Sequence, residues 1–187
     1  KVFAGIVIAP IGGIIFGLLV TGLIITLFAS RKPAIVNKTF GRLQIISSAW
    51  FALTHGANDG QKTMGIIALI LFSAGLIPEL EIPLWVILAA ASAMGLGTFF
   101  GGYKVIKTLG VKITRLKPYQ GFAAETSGGL MLAIFATLGI PASTTHAITG
   151  TIMGAGAARR KRAVRWNVSR HIVFSWIITI PGSAAMG

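Results

Sequence analysis

Apolar residues run along this chain in long blocks, divided by short polar or basic stretches. A membrane-crossing helix needs about 20 mostly apolar residues. Val2 to Ala29 meets that requirement, with Gly5, Gly12, Gly13, Gly17 and Gly22 placed where neighbouring backbones can come close. Pro10 predicts a kink in its first third. The block is too long and too weakly flanked for a cleaved signal peptide. The next block, Leu43 to Ile77, is interrupted by the polar cluster from His55 to Lys62. Neither flank makes a comfortable crossing alone, so the pattern predicts a discontinuous helix: Leu43 to Thr54, an irregular turn, then Thr63 to Ile77. Leu84 to Gly102 is an ordinary span, rich in small residues. Tyr119 to Leu138 is apolar apart from Gln120, Glu125 and a few hydroxyls, and breaks at Gly139-Ile-Pro-Ala-Ser-Thr-Thr-His146. Ala147 to Ala158 is a short helical piece, and His171 to Gly187 begins a further span. A chain that starts at Lys1 and stops at Gly187 within an apolar run reads as an internal piece, or the ordered part, of something longer.

Composition sharpens this picture. The chain is 54% hydrophobic with 11% charged residues and a mean hydropathy of +0.81, against roughly a quarter charged in soluble domains. The formal charge of +13 raises the question of nucleic acid. Its distribution answers it, because Lys and Arg gather in three segments, Arg31 to Arg42, Lys104 to Lys117 and Arg159 to Arg170, between membrane-length apolar runs. Nucleic-acid binding gives no reason for that alternation, whereas the positive-inside rule does. The three basic segments are therefore expected as loops on the cytoplasmic side, Ser30 to Arg42 being the first. The loop carrying Glu79 and Glu81 is expected outside. Leu43 to Ile77 then crosses an odd number of times and Tyr119 to Ala158 an even number, as a re-entrant hairpin or two short helices meeting at Pro141. Trp50, Trp85, Trp166 and Trp176, near predicted span ends, fit interfacial anchoring. With no cysteine, neither disulfides nor Cys-ligated metals arise.

Two polar constellations carry the candidate chemistry. Only four residues are acidic, and two of them, Asp59 and Glu125, lie inside apolar blocks. An ionisable group at membrane depth normally faces a protein cavity and has a partner. Lys62, three residues after Asp59, is within pairing reach on a helical turn. A self-neutralising pair is the plain alternative, but His55, Asn58 and Gln61 add more polar capacity than one pair needs. The second constellation is Pro141-Ala-Ser-Thr-Thr-His146. Three successive hydroxyls beside a helix-breaking Pro, followed by a new helix, suit an anion held by free N–H groups at a positive helix end. Capping of that helix by Ser143 or Thr144 is the alternative, though a cap needs one such residue. His55 and His146 read as hydrogen-bonded partners rather than metal ligands. The glycine pairs Gly12-Gly13, Gly101-Gly102 and Gly128-Gly129 read as packing or hinge positions, lacking the strand-turn-helix context of a nucleotide loop.

Gly56-Ala-Asn-Asp-Gly-Gln-Lys62 and Pro141-Ala-Ser-Thr-Thr-His146 resemble the two signatures of the inorganic phosphate transporter (PiT) family. Gly101-Gly-Tyr-Lys-Val-Ile-Lys-Thr-Leu-Gly110 and Gln120-Gly-Phe-Ala-Ala-Glu125 resemble further family motifs in the same order and spacing. The likeness covers the chain from about Phe51 onward. It implies an all-α polytopic membrane protein built from two inverted-topology repeats with discontinuous helices. Residues 1–187 would form a single transmembrane domain, the C-terminal repeat, with the N-terminal repeat as its partner. It further implies that Asn58, Asp59, Gln61 and Lys62 contribute to the substrate and cation site and that Ser143, Thr144 and Thr145 hold phosphate oxygens. Asp59 and Glu125 would take part in coupling. Sodium-coupled members read Gly-Ala-Asn-Asp-Val-Ala-Asn-Ala, whereas Gly60, Gln61 and Lys62 follow the Asp here. An ammonium in place of a sodium-binding Asn resembles the bacterial, low-affinity, proton-coupled branch, some of whose members carry phosphate as a neutral divalent-metal complex. The implied partners are inorganic phosphate, protons and the lipid bilayer of a bacterial inner membrane, with sodium coupling, sulfate as substrate and homo-oligomer formation as alternatives. No cofactor, enzymatic step or nucleic acid is implied. An anion channel and a non-transporting membrane subunit are the rivals from other classes.

Overall fold

Every apolar block of the sequence becomes helix in the computed structural model, which describes residues 2–140 and 142–186. The order is α1 (Val2–Leu27), α2 (Pro33–Ser73), α3 (Leu84–Lys107), a π-helical turn (Thr108–Ile113), α4 (Pro118–Thr137), α5 (Thr144–Ala157), a short 3-10 turn (Lys161–Ala163) and α6 (Trp166–Met186). No strand occurs among the described residues. Helix α1 runs uninterrupted through Pro10. Gly5–Leu27 and Leu84–Tyr103 are long and apolar enough to cross a membrane.

The largest departure from expectation is α2. The irregular turn expected at His55–Lys62 is absent, and one helix of 41 residues runs through it, about 60 Å at 1.5 Å per residue. No Pro follows Pro33 in this stretch, and an interior Gly costs only about 1 kcal/mol relative to Ala. The polar residues recur at Gln44, Ser47, His55, Asn58, Asp59 and Lys62, spacings of three, four and eight that keep them on one side of a helix. What resembled a break is the polar stripe of a continuous helix.

The expected basic loops are also shorter than predicted. Helices α2 and α4 start at Pro33 and Pro118, each preceded by a Lys. Proline at the first helical position loses no hydrogen bond and presets φ. Lys and Arg are good helix formers, so α3 and its π-helical extension absorb most of the second basic segment and α6 begins within the third. The three segments still converge at one end. Arg31, Lys117 and Arg159 line one small cavity, and Arg165 N–H donates to the Ile113 carbonyl at 2.8 Å.

Helices α1, α4 and α5 form the centre. Pro10 and Ile14 of α1 meet Gly150 and Gly154 of α5 in the same order, so the two helices run parallel. Their backbones touch: a Cβ on Gly17 would lie 2.4 Å from the Thr151 carbonyl oxygen, and one on Gly154 2.2 Å from that of Ile14. This is small-xxx-small packing on both partners, which replaces the missing hydrophobic drive between membrane helices with backbone contact. Ser127 of α4 donates to the Phe16 carbonyl at 3.3 Å, while Ala9, Met131, Leu132, Ala142 and Ala147 close one buried cluster. Helix α2 lies along α4, whose glycines receive its large side chains. A Cβ on Gly128 would meet Phe51 at 3.0 Å and one on Gly129 the Trp50 indole nitrogen at 2.5 Å. The Gly128 pair and Gly13 are thus packing positions; Gly101 has open space around it.

Two of the tryptophans expected near span ends lie well inside helices. Trp50 packs on α4, and Trp176 stacks on His146 with ring centroids 3.9 Å apart. Trp85 and Trp166 do stand at helix starts. Helix α3 is largely uncovered, with Phe99 and Phe100 80% and 78% exposed.

Candidate functional site

The centre of the polar stripe on α2 is Asp59. Its Oδ2 accepts from Thr144 Oγ1 at 2.8 Å and pairs with His55 Nε2 at 3.0 Å, while its Oδ1 pairs with Lys62 Nζ at 3.3 Å. The ammonium of Lys62 also donates to the Ala142 carbonyl at 2.9 Å, and Asn58 Nδ2 reaches the same oxygen at 3.4 Å. Three residues of one helix face, Asn58, Asp59 and Lys62, thus grip the segment from which α5 starts, and His55 braces Asp59 from the same helix. Along α2, Asp59 lies 17 residues beyond Arg42, the last basic residue before it, and 14 before Ser73. These are about 26 and 21 Å of helix, so the site sits near the middle of that length.

The segment opposite is the α4–α5 junction, where the chain breaks as expected; Pro141 itself lies outside the described residues. Helix α4 ends in a Schellman motif. Gly139, at φ +61°, donates to Ala136, and Ile140 N–H reaches back to Phe135 at 2.9 Å, a turn that needs the left-handed backbone glycine allows. Helix α5 then starts with Ser143 as N-cap, its Oγ accepting from His146 N–H at 3.4 Å. The capping role weighed for Ser143 is therefore real, and it leaves the hydroxyl hydrogen free to donate. The first N–H groups of a helix have no intrahelical partner, so those of Thr144 and Thr145 open toward the same place. Thr144 is buried and committed to Asp59, whereas Thr145 is exposed and makes no side-chain hydrogen bond among the described residues.

Glu125 forms a second polar node. Ser47 Oγ donates to its Oε2 at 2.5 Å and Gln44 Nε2 to its Oε1 at 3.3 Å. Gly121 makes room for this, since a Cβ there would lie 2.2 Å from the Gln44 amide nitrogen. One cleft of about 1060 Å³ joins the two nodes, bounded by α2, α3 with its π-helical turn, α4 and α5. Gln44, His55, Glu125, Thr144 and Thr145 all line it.

Of the candidate residues, Asn58, Asp59, Lys62, Ser143 and Thr144 come together at the junction, Thr145 borders it from the cleft, and Glu125 opens on the same cleft. Gln61 does not join them. Two positions past Asp59, it projects about 200° away around the helix, is exposed and lies outside the cleft lining. Sequence reasoning missed Gln44 and Ser47 as partners of Glu125. Their three-residue spacing, in phase with His55, Asn58 and Lys62, was the available signal.

Chemically, the junction gathers hydrogen-bond donors of the kind that suit an anion. Lys62 has three N–H donors, two of them used. The third, the Ser143 and Thr145 hydroxyls and the first N–H groups of the 14-residue α5 all offer positive hydrogens. The helix dipole adds the equivalent of about half a positive charge. Asp59, with three bonds among its roughly four lone-pair positions, keeps one acceptor position for a protonated oxyanion.

The sequence model of the Phosphate transporter family matches residues 28–187 of the chain. The chain is 48% identical over 185 residues to a protein of Rhizobium meliloti (strain 1021) described as a probable low-affinity inorganic phosphate transporter. That alignment covers 98% of this chain and 55% of the relative. A Bacillus subtilis (strain 168) protein of the same description is 38% identical over 188 residues, covering 100% of this chain and 56% of the relative. Among solved structures, a sodium-dependent phosphate transporter superposes with a TM-score of 0.69 at 29% identity, over 96% of this chain and 54% of that one. The chain spans about half the length of the relatives it matches.

Proposed function

The chain belongs to the phosphate transporter family, a family of membrane proteins, and on that premise we propose that it forms one half of a secondary active carrier of inorganic phosphate. The anion would bind where α5 begins against α2. The observation that carries this reading is Lys62, which bridges Asp59 Oδ1 at 3.3 Å and the Ala142 carbonyl at 2.9 Å beside the open N-terminus of α5. A cation, a helix N-terminus and spare hydroxyls form a binding site for a tetrahedral oxyanion. Asp59 gives that site a preference: phosphate near neutral pH retains at least one O–H to donate to a carboxylate, and sulfate retains none. Transport needs no covalent step. In two-repeat carriers with the site between repeats, rocking of one repeat against the other exposes the anion to each side in turn. The half-length match supports this chain being one such repeat, with the α4–α5 pair as its re-entrant hairpin and the other repeat completing the site.

Protons are the proposed driving ion. The ammonium of Lys62 already occupies a cation's place beside Asp59, and Glu125, lodged between Ser47 and Gln44, is a carboxyl that could carry a proton across. The similarity to a transporter described as sodium-dependent favours sodium as the second reading. Uptake of radiolabelled phosphate into proteoliposomes of the full-length protein, under proton and sodium gradients imposed separately, tests both. Uptake driven by an inward proton gradient in sodium-free buffer is the expected result. Dependence on sodium would overturn proton coupling, and failure to accumulate phosphate under either gradient would overturn the carrier reading.

A further inference from the structure

The three basic segments do more than mark one end of the molecule. Arg31 follows α1, Lys117 precedes α4, and Arg159 follows α5, yet the three line a single cavity of about 210 Å³ with Asn37, Tyr119 and Phe28. That volume equals about seven waters at ~30 Å³ each, room for one phosphate group. Arg31 and Arg159 have a local explanation, since cations complement the negative ends of the helices they follow. Lys117 has none. It is the N-cap of α4, where the helix dipole is positive and repels a cation. Its backbone is fixed there by Gln120, whose Oε1 accepts from the Lys117 N–H at 3.0 Å and whose Nε2 donates to the Ala155 carbonyl at 2.9 Å.

Among the described residues, no carboxylate offsets the three charges. Asp59 is committed at the α4–α5 junction, Glu125 lies between Ser47 and Gln44, and Glu79 and Glu81 are in the loop after α2, at the opposite end. Asn37, also in the cavity wall, has an Oδ1 that is buried without a hydrogen-bond partner among the described residues. Phe28, at the cavity wall, is 37% exposed, so the opening borders apolar surface.

We propose that this cavity is a second phosphate-group site, distinct from the α5 junction, filled by the headgroup of an anionic phospholipid or by free inorganic phosphate. Phosphate oxygens would take the Arg31 and Arg159 guanidinium hydrogens, the geometry in which arginine binds phosphate best. They would also neutralise Lys117.

The test uses the full-length protein in detergent. Native mass spectrometry reads retention of dioleoyl-phosphatidylglycerol against dioleoyl-phosphatidylcholine, and equilibrium dialysis with radiolabelled inorganic phosphate counts bound equivalents. The pocket variant is Arg31→Gln, Lys117→Gln, Arg159→Gln. The control, Lys38→Gln, Arg42→Gln, Lys112→Gln, removes the same charge from the same end without touching the cavity. The pocket variant should lose phosphatidylglycerol retention at least about tenfold, given roughly fivefold per basic side chain near a membrane surface, or else lose one equivalent of bound phosphate. The control should lose neither. Loss in the first measurement assigns a lipid headgroup, loss in the second a free anion. Equal binding by pocket variant and wild type, or equal losses in pocket variant and control, overturns the proposal. If the triple variant does not elute as folded protein, Lys117→Gln alone is read the same way.

Discussion

At the scale of single residues, the site turns on the pair that sequence spacing already placed together. Lys62 holds both Asp59 and the Ala142 carbonyl, so under the proposed function Lys62→Asn removes a charge-assisted contact to the anion as well as a tether between α2 and the junction. Hydrogen bonds to charged groups are worth about 1.5–3 kcal/mol, so phosphate affinity should fall roughly ten- to a hundredfold, read as a higher half-saturation concentration for uptake. An unchanged value would reduce Lys62 to a structural partner of Asp59. Asp59→Asn tests selectivity instead. An amide keeps the shape but offers an N–H₂ toward the anion, so competition by sulfate, weak in the wild type, should strengthen. Identical sulfate inhibition in the two proteins would show that Asp59 does not read the phosphate O–H. His55, Asn58, Asp59 and Lys62 were legible because a charged cluster inside an apolar block is conspicuous. The partnership of Glu125 with Gln44 and Ser47 was not: their phase with His55, Asn58 and Lys62 puts them on the polar face, but nothing in the sequence pairs two neutral side chains with a carboxylate 81 and 78 positions away until the helices are docked.

Among the elements, α2 and the α4–α5 junction are where sequence reading failed and succeeded. A glycine-containing polar run in an apolar block resembles a break, and periodicity alone gives no crossing angle or register to correct it. The break at 138–143 was legible because Pro and Gly state it chemically, and Gly139 confirms it with its positive φ. Helices α2 and α5 suggest opposite outcomes for glycine substitution. Gly56 lies within α2, and a methyl group added there would have nothing within 4 Å, so Gly56→Ala should preserve thermal stability or raise it by up to about 1 kcal/mol. An irregular turn at that place would reverse the sign. Gly154 faces the Ile14 carbonyl oxygen, 2.2 Å from a would-be Cβ, so Gly154→Leu must push α1 off α5. Overpacking of this kind costs typically about 1–3 kcal/mol and more where backbone is the obstacle, and a clear drop in melting temperature in detergent is expected. A melting temperature equal to wild type would mean that α1 and α5 do not touch as described.

For the whole molecule, charge gives direction. Arg31, Lys117 and Arg159 meet at one end, which the positive-inside rule places in the cytoplasm. Single cysteines at positions 32, 107 and 160 should then resist an impermeant thiol reagent in intact cells, while one at position 79 labels; strong labelling at 107 would invert the arrangement. The last expectation concerns completeness. The chain spans about half of its relatives, and the junction supplies donors from one side only: Lys62, the α5 N-terminus, Ser143 and Thr145. The cleft beside it, about 1060 Å³ and open, is far larger than a phosphate ion needs. An anion there would keep much of its contact with water and gain little from a low-dielectric surround, whereas a second repeat over the cleft would exclude that water and add its own donors. Residues 1–187, reconstituted alone and shown to be monomeric, should therefore bind phosphate at least about two orders of magnitude more weakly than the full-length protein, since losing two donors at about 1.5–3 kcal/mol each is already that large. They should accumulate none. Co-expression with the remaining half should restore uptake. Binding by the isolated segment with full-length affinity would place the whole site within this chain and refute the two-repeat site.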